Sequence, residues 1–396
     1  MIAWNFKNRS LRPIGLDIGH NSIKMIQLAV TAGHTSVVAV HKVRIEDGLD
    51  EEGETKSKFV ISAIKQMLAK SDFRGRNVVS CLSNDKLGVT SLRLAETATE
   101  RIEEALRKEV TRRFGMDPDT DAVNYVLAGN VRHGDEIKNE LILFAADSET
   151  IRKHIEMLET AGLRPVGIDT VPCALFRSFE RSLRRQEDKE RTAVFVDVGR
   201  RFTTVVFGRG GEISFVKQIL IGGEKFDLEI AAKLGVSIGE AEILRGKLRA
   251  EKQTSGTGNL CAADPSLMGD APATHAQQLD ASTRQVMVDA IDLVAEELAR
   301  EISLCFRYYT VTFRGKRVER AVISGGEAYE EILLNVIRRR LSVEIEVAQP
   351  LRGFDMTRVH LEGQGNEPFC EWAVAVGLSL KGWRGATSEA YTYEGN

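Results

Sequence analysis

The sequence predicts an α/β fold of two duplicated lobes, with a small α+β subdomain inserted in the first lobe. The first observation is that residues 13–28 have the pattern of a strand, a tight glycine turn and a second strand, because apolar residues dominate both sides of the turn. The second is that residues 196–206 repeat this pattern half a chain later. The third is that residues 77–165 interrupt the first half with a strand, a helix, two strands and another helix.

The first hairpin carries residue types that suit a bound phosphate. The candidates run from the end of one strand to the start of the next: Asp17, Gly19, His20, Asn21, Ser22 and Lys24. Successive backbone N–H groups in a turn form a concavity that binds anions. A carboxylate beside a phosphate implies a bridging divalent cation, because the two anions repel each other. Lys24 is either a phosphate-binding cation or an ordinary lysine at a strand edge.

The second hairpin offers an equivalent set of candidates: Asp197, Gly199, Arg200, Thr203 and Thr204. One Asp-x-Gly hairpin is weak evidence, because ordinary hairpin turns often contain Asp and Gly. Two of them in matched positions favour a pair of phosphate hairpins that face each other. Mg²⁺ prefers one or two carboxylates together with phosphate oxygens and retained waters. We therefore interpret Asp17 and Asp197 as a metal-facing pair, the alternative being two turn-capping aspartates.

Composition and charge exclude several classes of function. The net charge of −3 gives no global basic field, so no nucleic-acid partner is expected. The five cysteines are far apart, without the spacing of a metal site or a disulfide framework, which indicates a reducing compartment. No apolar run reaches the length of a membrane span, so we expect no direct membrane span.

The elements of the first half follow from changes in hydrophobic period. Alternation predicts strands at 36–44, 77–82, 89–94, 122–128, 140–146 and 166–169. Three- and four-residue steps predict helices at 58–68, from 99 to 114, from 148 to 161 and at 172–185. Ser148 is interpreted as the cap of the third helix. The first lobe is assigned to residues 11–190 together with a closing helix at 368–383.

The second lobe is assigned to residues 191–367. After a strand at 211–216, Gly222 and Gly223 form a turn that leads into a helix. A long helix contains residues 291–309, and later elements are strands at 317–323 and 343–347 and helices at 329–341 and 371–380. Residues 253–282 are rich in Gly, Ala, Thr, Ser and Pro, which predicts a flexible surface insertion.

These motifs, in this order and spacing, resemble the PilM family, the actin-like proteins of the type IV pilus inner-membrane platform. The resemblance runs from about residue 14 to 381, and its motifs lie at 16–24, 158–169, 197–204, 221–247, 322–326, 347–350 and 373–380. The chain departs from the family at two places. Residues 253–282 are longer than expected, and His20 replaces a small hydroxyl residue, although a cradle of backbone N–H groups survives that change.

The resemblance implies an actin-like ATPase fold with ATP and Mg²⁺ between the lobes, the metal held by Asp17 and Asp197 through water. It implies that adenosine approaches the turn at Gly325 and Gly326. Glu242 on the ribose and Arg245 on the base would complete the nucleoside site, an ordinary ion pair being the alternative. Asp169 is the candidate for orienting an attacking water. The sequence does not separate a slow ATPase from a nucleotide-dependent scaffold.

The partner implied by the resemblance is the cytoplasmic N-terminal peptide of a bitopic pilus-assembly protein, bound at a groove of the 77–165 subdomain. The protein would then be cytoplasmic and recruited to the inner membrane, with self-association left open. The alternatives are an FtsA-like cell-division protein, a secretion-system scaffold without nucleotide, and a sugar or acetate kinase of the same fold. The acidic, polar residues 385–396 differ from the amphipathic membrane helix of FtsA-like chains.

Overall fold

The computed structural model describes residues 10–31, 33–45, 54–95, 99–133, 136–180, 191–256, 279–313, 318–359 and 369–381. The described elements of the first half are β1 (Ser10–Ile18), β2 (Ser22–Thr31), β3 (His34–Arg44), α1 (Glu54–Lys70), β4 (Asn77–Leu82), β5 (Gly88–Ala95), α2 (Thr99–Phe114), β6 (Ala122–His133), β7 (Glu136–Ala146), α3 (Ser148–Thr160), β8 (Arg164–Thr170) and α4 (Val171–Glu180). Those of the second half are β9 (Thr192–Val198), β10 (Thr203–Arg209), β11 (Glu212–Ile219), α5 (Gly223–Leu234), α6 (Ile238–Gly256), α7 (Ala281–Thr312), β12 (Val318–Ser324), α8 (Glu331–Arg340), β13 (Glu344–Val347) and α9 (Ala373–Ser379).

Two five-stranded sheets have the same strand order. The first is β3-β2-β1-β4-β8 and the second is β11-β10-β9-β12-β13. In each sheet the first three strands form an antiparallel meander, and the last two run parallel to the central strand. The predicted duplication is therefore confirmed, and each predicted phosphate hairpin is the turn between the central strand and its antiparallel neighbour.

The closing helix α9 joins the two halves of the chain by close packing. A Cβ atom at Gly377 would lie 1.8 Å from the carbonyl oxygen of Ala174, so only glycine allows α9 to approach α4 this closely. On its other side α9 contacts β1, where the Ser379 hydroxyl donates to the carbonyl oxygen of Pro13 at 2.8 Å. Because α4 also packs on β10, where the Phe176 ring abuts Gly208, the pair α4–α9 lies between the two sheets.

The inserted subdomain has its own three-stranded sheet, β5-β7-β6. Helix α2 covers one face, where Leu106 and Val110 pack with Leu141 and Leu143. By contrast, β4 pairs within the first sheet, and α3 contacts α1 and β8. The predicted range 77–165 therefore includes two elements of the first lobe. The exact lobe boundaries, 11–190 with 368–383 and 191–367, remain predictions.

Local details differ from the sequence interpretation at two helix starts. The cap of α3 is Asp147, whose carboxylate accepts a hydrogen bond from the Thr150 N–H at 2.7 Å, whereas Ser148 is the first helical residue. Asp280 caps α7 in the same way, and α6 continues to residue 256, so both ends of the predicted insertion at 253–282 are helical or capping residues. Its central part, 257–278, lies outside the described residues. None of the described helices combines the length and apolarity needed to cross a membrane.

Candidate functional site

The first hairpin places a carboxylate and an ammonium group side by side. Asp17 lies opposite Lys24 in the β1–β2 register, and the Lys24 Nζ is 2.7 Å from Asp17 Oδ2. The Gly19 N–H donates to the Ser22 carbonyl oxygen at 3.0 Å and closes the turn. Burial opposes the charged form of Lys24, but attraction and a hydrogen bond to Asp17, together with the charges of Asp197 and Glu371, outweigh burial and raise the pKa of Lys24. Lys24 is thus a buried, charged partner of Asp17 rather than a lysine at an exposed strand edge.

The second hairpin repeats this backbone geometry with a different side-chain pair. Asp197 lies opposite Thr204 in the β9–β10 register, and the Gly199 N–H donates to the Phe202 carbonyl oxygen at 3.0 Å. The Ser324 hydroxyl binds Asp197 Oδ1 at 3.0 Å. Asp197 therefore receives a neutral hydrogen bond where Asp17 receives a full positive charge.

The two turns face each other. The His20 ring centroid lies 6.2 Å from that of Phe202, so the tips of the hairpins are adjacent. Burial, together with the negative charge of Asp17, raises the pKa of Asp197 to about 6, while Ser324 and Lys24 oppose the rise. This influence of the Asp17 charge on Asp197 indicates that the two carboxylates lie near each other.

The chemistry of this pair fits a magnesium–phosphate ligand. Mg²⁺ takes one or two carboxylates together with phosphate oxygens and waters, rather than a closed protein cage. Within the described ranges, no group of three or more His, Cys, Asp or Glu side chains is arranged to hold a metal ion. Asp17 and Asp197 would hold the ion, and the neighbouring turns, with their backbone N–H groups, would hold the phosphates.

Helix α5 begins directly beneath the second turn. The Gly223 N–H donates to the Gly199 carbonyl oxygen at 3.0 Å, and the Glu224 N–H donates to the Arg200 carbonyl oxygen at 2.7 Å. A side chain at Gly222 would collide with the same two carbonyl groups. The predicted Gly222–Gly223 turn is therefore brought to the hairpin, where it fixes the position of residues 199 and 200.

Three other predicted phosphate ligands of the second hairpin already have protein partners. The Thr203 hydroxyl donates to the Ile221 carbonyl oxygen at 2.7 Å, and the Thr204 hydroxyl accepts from Asn84 Nδ2 at 2.9 Å. Arg200 forms an ion pair with Asp227 and another, at 3.3 Å, with Glu242. These side chains shape the site, and their direct contact with phosphate remains a prediction.

The predicted nucleoside pair, Glu242 and Arg245, has separate partners in the structure. Glu242 accepts a hydrogen bond of 2.6 Å from Arg44, which lies at the end of β3 in the first lobe. Arg245 is 4% exposed, and it bonds Asp227 Oδ1 and Glu327 Oε2 at 2.6 Å each. Burial opposes the charge of Arg245, but Glu327 and Asp227 outweigh it and raise the pKa of Arg245.

Glu327 is the centre of a buried ion-pair network. Burial alone would raise the pKa of Glu327, but Arg245 and Arg249 outweigh that effect and hold it at about 2. Arg249 also bonds Glu330 Oε2 at 2.7 Å. The network fastens α6 to the short 3₁₀ turn after β12, and that turn contains the predicted adenosine contact.

Gly325 adopts a backbone conformation that favours glycine. Its φ is +94°, and a Cβ atom there would lie 2.3 Å from the Val198 carbonyl oxygen at the end of β9. Gly326, which starts the 3₁₀ turn, has open space where its Cβ atom would be. This turn thus lies against the end of the strand that carries Asp197, which places the predicted adenosine turn next to the predicted phosphate site.

Asp169, the candidate for orienting water, is held by cations. Its Oδ2 lies 2.8 Å from Arg177 and 3.5 Å from Lys381, and its Oδ1 accepts from the Thr170 N–H at 2.8 Å. Strands β1, β4 and β8 run parallel. Asp169 and Asp17 therefore both lie at the carboxyl ends of these strands. A role in orienting water would require its present contacts to rearrange.

Sequence reasoning missed the residues that support the site from behind. These are Arg44, Ser80, Asn84, Asp227 and Ser324. Ser324 had a local signal, since it directly precedes the Gly325–Gly326 turn. Asp227 and Arg44 had none, because their partners are distant in the sequence.

Comparison with known proteins gives one family match. The family model described as type IV pilus assembly protein PilM matches residues 15–253 and 273–383. The unmatched stretch between these segments falls inside the range 253–282, the part that is longer than the family pattern.

Solved structures and curated proteins give weaker likenesses. A PilM–PilN type IV pilus biogenesis complex has a chain that is 23% identical, with a TM-score of 0.71 over 93% of this chain and 98% of that one. This likeness confirms the predicted fold. The ethanolamine utilization protein EutJ of Carboxydothermus hydrogenoformans is 14% identical, with a TM-score of 0.49 over 93% of this chain and 89% of that one. The cell division protein FtsA of Streptococcus pneumoniae is 21% identical over 254 residues, 58% of this chain and 54% of FtsA, so the match spans about half of that relative.

Proposed function

The chain belongs to the PilM family of type IV pilus assembly proteins, and from this premise we propose that it binds ATP with Mg²⁺ between its lobes and a membrane partner at its inserted subdomain. The partner is the cytoplasmic N-terminal peptide of a bitopic pilus-assembly protein. That peptide recruits the chain to the cytoplasmic face of the inner membrane, and nucleotide changes the affinity for it.

The observation that carries the nucleotide proposal is the meeting of Asp17 and Asp197 at two equivalent turns. A buried carboxylate that lies near a second carboxylate, as Asp197 lies near Asp17, is stabilised in its charged form by a nearby cation. Lys24 neutralises Asp17, and Asp197 lacks an equivalent partner cation at its register position, which Thr204 occupies. Asp17 and Asp197 would hold a Mg²⁺ ion, which would supply the missing positive charge beside the phosphates.

The surroundings of Asp169 favour a nucleotide-dependent scaffold over a rapid ATPase. Hydrolysis needs a water held in line with the γ-phosphate by a free acceptor. Asp169 directs its oxygens to Arg177, Lys381 and the Thr170 N–H. For the same reason it is a poor base for a sugar or acetate kinase.

The partner proposal rests on family membership and on the edge of the first sheet. Strand β8 is the last strand of that sheet, and it lies where the chain returns from the inserted subdomain. Val166 on β8 is 51% exposed, so an apolar side chain is available beside a strand that, among the described strands, pairs only with β4. Extended peptides bind such edges through backbone hydrogen bonds, with alternate side chains in pockets. We place the peptide groove between β8 and the inserted subdomain.

Calorimetry of ATP binding with and without Mg²⁺ tests the nucleotide site. The wild-type chain is expected to bind with micromolar affinity, or about −8 kcal/mol. Asp17→Ala and Asp197→Ala should each lose the Mg²⁺-dependent part of that affinity, whereas Asp72→Ala, at an exposed residue in the same lobe, should not. Unchanged Mg²⁺-dependent affinity in the double variant Asp17→Ala, Asp197→Ala would remove the site assignment.

Fluorescence anisotropy tests the partner site, with labelled N-terminal peptides of bitopic pilus proteins and scrambled peptides as controls. Val166→Glu should weaken binding at least tenfold, because it places a charge at the apolar sheet edge. Leu228→Glu, at a 46% exposed leucine of α5 in the second lobe, is the matched control and should bind normally. Equal affinities of the two variants would reject this groove. Failure of every pilus peptide to bind would favour the kinase and pure-scaffold alternatives.

A further inference from the structure

The inserted subdomain is connected by chain to one lobe and packed against the other. The chain leaves the first sheet after β4, forms the inserted subdomain, and returns to the first sheet through α3 and β8. Its contacts run to β11 of the second lobe, which touches all three strands of the inserted sheet. Ile142 and Phe144 of β7 belong to the same apolar core as Phe207 and Phe215 of the second sheet. The subdomain therefore spans the two lobes.

A polar cluster fixes the position of this contact. We call it the Arg93 cluster, and it consists of Arg93 and Glu140 of the inserted sheet and Tyr308 and Thr312 of α7. Arg93 binds Glu140 Oε2 at 2.7 Å, the Tyr308 hydroxyl at 3.1 Å and the Thr312 hydroxyl at 3.0 Å. Glu140 is only 1% exposed and also lies 3.4 Å from the Tyr308 hydroxyl. The guanidinium group thus joins a carboxylate of one unit to two hydroxyls of the other.

These two kinds of contact have different effects. The apolar core provides adhesion, which is not directional. A guanidinium group donates hydrogen bonds only in fixed directions. The Arg93 cluster therefore sets the register of β5 and β7 against α7. Sliding or rotation of the subdomain on the second lobe would leave the buried Glu140 carboxylate with fewer hydrogen bonds, and that loss is costly.

Helix α7 extends this contact toward the nucleotide site. Lys225, in the first turn of α5, lies 2.6 Å from both carboxylate oxygens of Glu297 on α7. The start of α5 is in turn bonded to the carbonyl groups of Gly199 and Arg200 in the second hairpin. The hairpin, α5, α7 and the inserted sheet are therefore joined by consecutive packed or hydrogen-bonded contacts.

We propose that the inserted subdomain moves with the second lobe, so that a change in the angle between the lobes shifts the subdomain relative to the first lobe. This inference rests on the proposed function, since nucleotide is the ligand expected to change that angle. It adds the device by which nucleotide would reach the peptide groove. The proposed groove lies between β8 of the first lobe and a subdomain fastened to the second, so lobe closure would alter the separation of its walls.

The test is a variant that breaks the Arg93 cluster from the second-lobe side. Thr312→Lys places a second cation beside Arg93 at a residue that is 8% exposed, and it should loosen the docked subdomain through like-charge repulsion. Val311→Lys is the matched control, since Val311 is its neighbour on α7 and is 80% exposed. The double variant Tyr308→Phe, Thr312→Val removes only hydroxyl groups and leaves the Arg93–Glu140 pair intact, in case Thr312→Lys fails to fold.

Distances between pairs of spin labels are measured by pulsed electron paramagnetic resonance in the full chain, with the labels attached to non-natural amino acids. The label sites are exposed residues in the three units: Glu103 in the subdomain, Lys65 in the first lobe and Asn335 in the second. In the wild type and in Val311→Lys, the subdomain–second lobe distance should be narrow and unchanged by Mg²⁺–ATP, while the subdomain–first lobe distance shifts. In Thr312→Lys and the double variant, the subdomain–second lobe distribution should broaden in the presence and absence of nucleotide.

Two results overturn the inference. One is a subdomain–second lobe distribution that stays narrow in the Thr312 variants. The other is a wild-type chain in which Mg²⁺–ATP shifts the subdomain–second lobe distance and leaves the subdomain–first lobe distance constant. If instead the proposed nucleotide binding is wrong, no distance in the wild type changes on addition of ATP. The subdomain–second lobe distribution would still broaden in the Thr312 variants. In the peptide assay, the nucleotide-dependent ratio of affinities should fall below twofold in Thr312→Lys and stay at the wild-type value in Val311→Lys.

Discussion

The hydroxyl of Ser324 binds both the carboxylate of Asp197, at 3.0 Å, and the carbonyl oxygen of the preceding Val196, at 3.3 Å. In the first sheet Ser80, which pairs with Leu16 and so lies one position earlier in the register than Ser324, binds the carbonyl oxygen of Leu16 at 3.0 Å. In both sheets a serine hydroxyl thus binds the carbonyl oxygen that precedes the aspartate. Only in the second sheet does that hydroxyl also bind the aspartate carboxylate. Lys24 compensates Asp17, whereas a neutral hydroxyl serves Asp197, which leaves Asp197 as the costlier charge in the absence of a cation.

This difference predicts opposite effects of Asp197→Asn on stability and on binding. Asparagine keeps a carbonyl oxygen for Ser324 and removes a buried charge that repels Asp17. Near pH 7 the ligand-free variant should be more stable than the wild type by roughly 1 to 3 kcal/mol, because a pKa raised from 3.8 to about 6 corresponds to that order of free energy. Mg²⁺-dependent ATP affinity should fall at least tenfold. Urea unfolding and calorimetry measure the two effects.

The pH dependence gives an internal control for this variant. Because the folded state holds the Asp197 proton to a higher pH than the unfolded chain, the wild type loses stability as the pH rises from about 4 to about 6. Asparagine does not titrate, so the advantage of the variant should disappear near pH 4. If the variant and the wild type differ in stability by the same amount near pH 4 and near pH 6, ionisation of Asp197 does not destabilise the folded state.

The adenosine turn gives a second prediction through two adjacent glycines. Gly325→Ala combines a φ of +94° with a Cβ atom 2.3 Å from the Val198 carbonyl oxygen, so the backbone must move. We expect a loss of about 2 kcal/mol or more in unfolding free energy and weaker ATP binding, because the displaced strand end carries Asp197. Gly326→Ala, with open space at its Cβ position, is the control and should change stability by less than about 1 kcal/mol. Similar losses in both variants would contradict the structural distinction.

A third prediction separates the two residues that the sequence assigned to the nucleoside. Arg245→Ala leaves Asp227 and Glu327 buried without their common partner, and we expect it to cost about 3 kcal/mol or more. Glu242→Ala breaks a pair with Arg44, which is 64% exposed, and a longer pair of 3.3 Å with Arg200, which keeps Asp227 as a partner. The loss should therefore be smaller, about 1 kcal/mol. If Glu242 also contacts ribose, its variant should bind ATP more weakly at nearly unchanged stability. Thermal unfolding and calorimetry on both variants distinguish the roles.

The duplicated fold could be predicted from the sequence because its signals are local. Each hairpin is encoded by an apolar strand on both sides of an Asp-x-Gly turn, and the two copies carry the same pattern at Asp17 and Asp197. Gly222 and Gly325 likewise predict tight turns within a few residues of the elements that these turns join. Local patterns of this kind determine which elements form and where the chain turns.

The choice of partners could not be predicted, because it depends on tertiary packing between distant segments. Arg245 reaches Glu327 across 82 positions, and Arg44 reaches Glu242 across 198. The inserted sheet has two apolar faces, and nothing in the period of β7 says that Ile142 packs on the second lobe while Leu141 packs on α2. Asp147 and Ser148 are both good caps, and only the backbone geometry decides between them.

The last prediction concerns the packing of α9 on α4. In Gly377→Ala the new Cβ atom would lie 1.8 Å from the carbonyl oxygen of Ala174, so the helices must separate, at a cost of at least about 2 kcal/mol. Because Phe176 of α4 also packs on Gly208 of the second sheet, the displaced α4 should alter the relation of the two hairpins and weaken ATP binding. Gly246→Ala is the matched helical control. Its Cβ atom would meet open space, so it should stabilise the chain by up to about 1 kcal/mol through helix propensity. Urea unfolding of the two variants measures the opposite signs, and a Gly377→Ala chain as stable as the wild type would show that α9 and α4 are not in close contact.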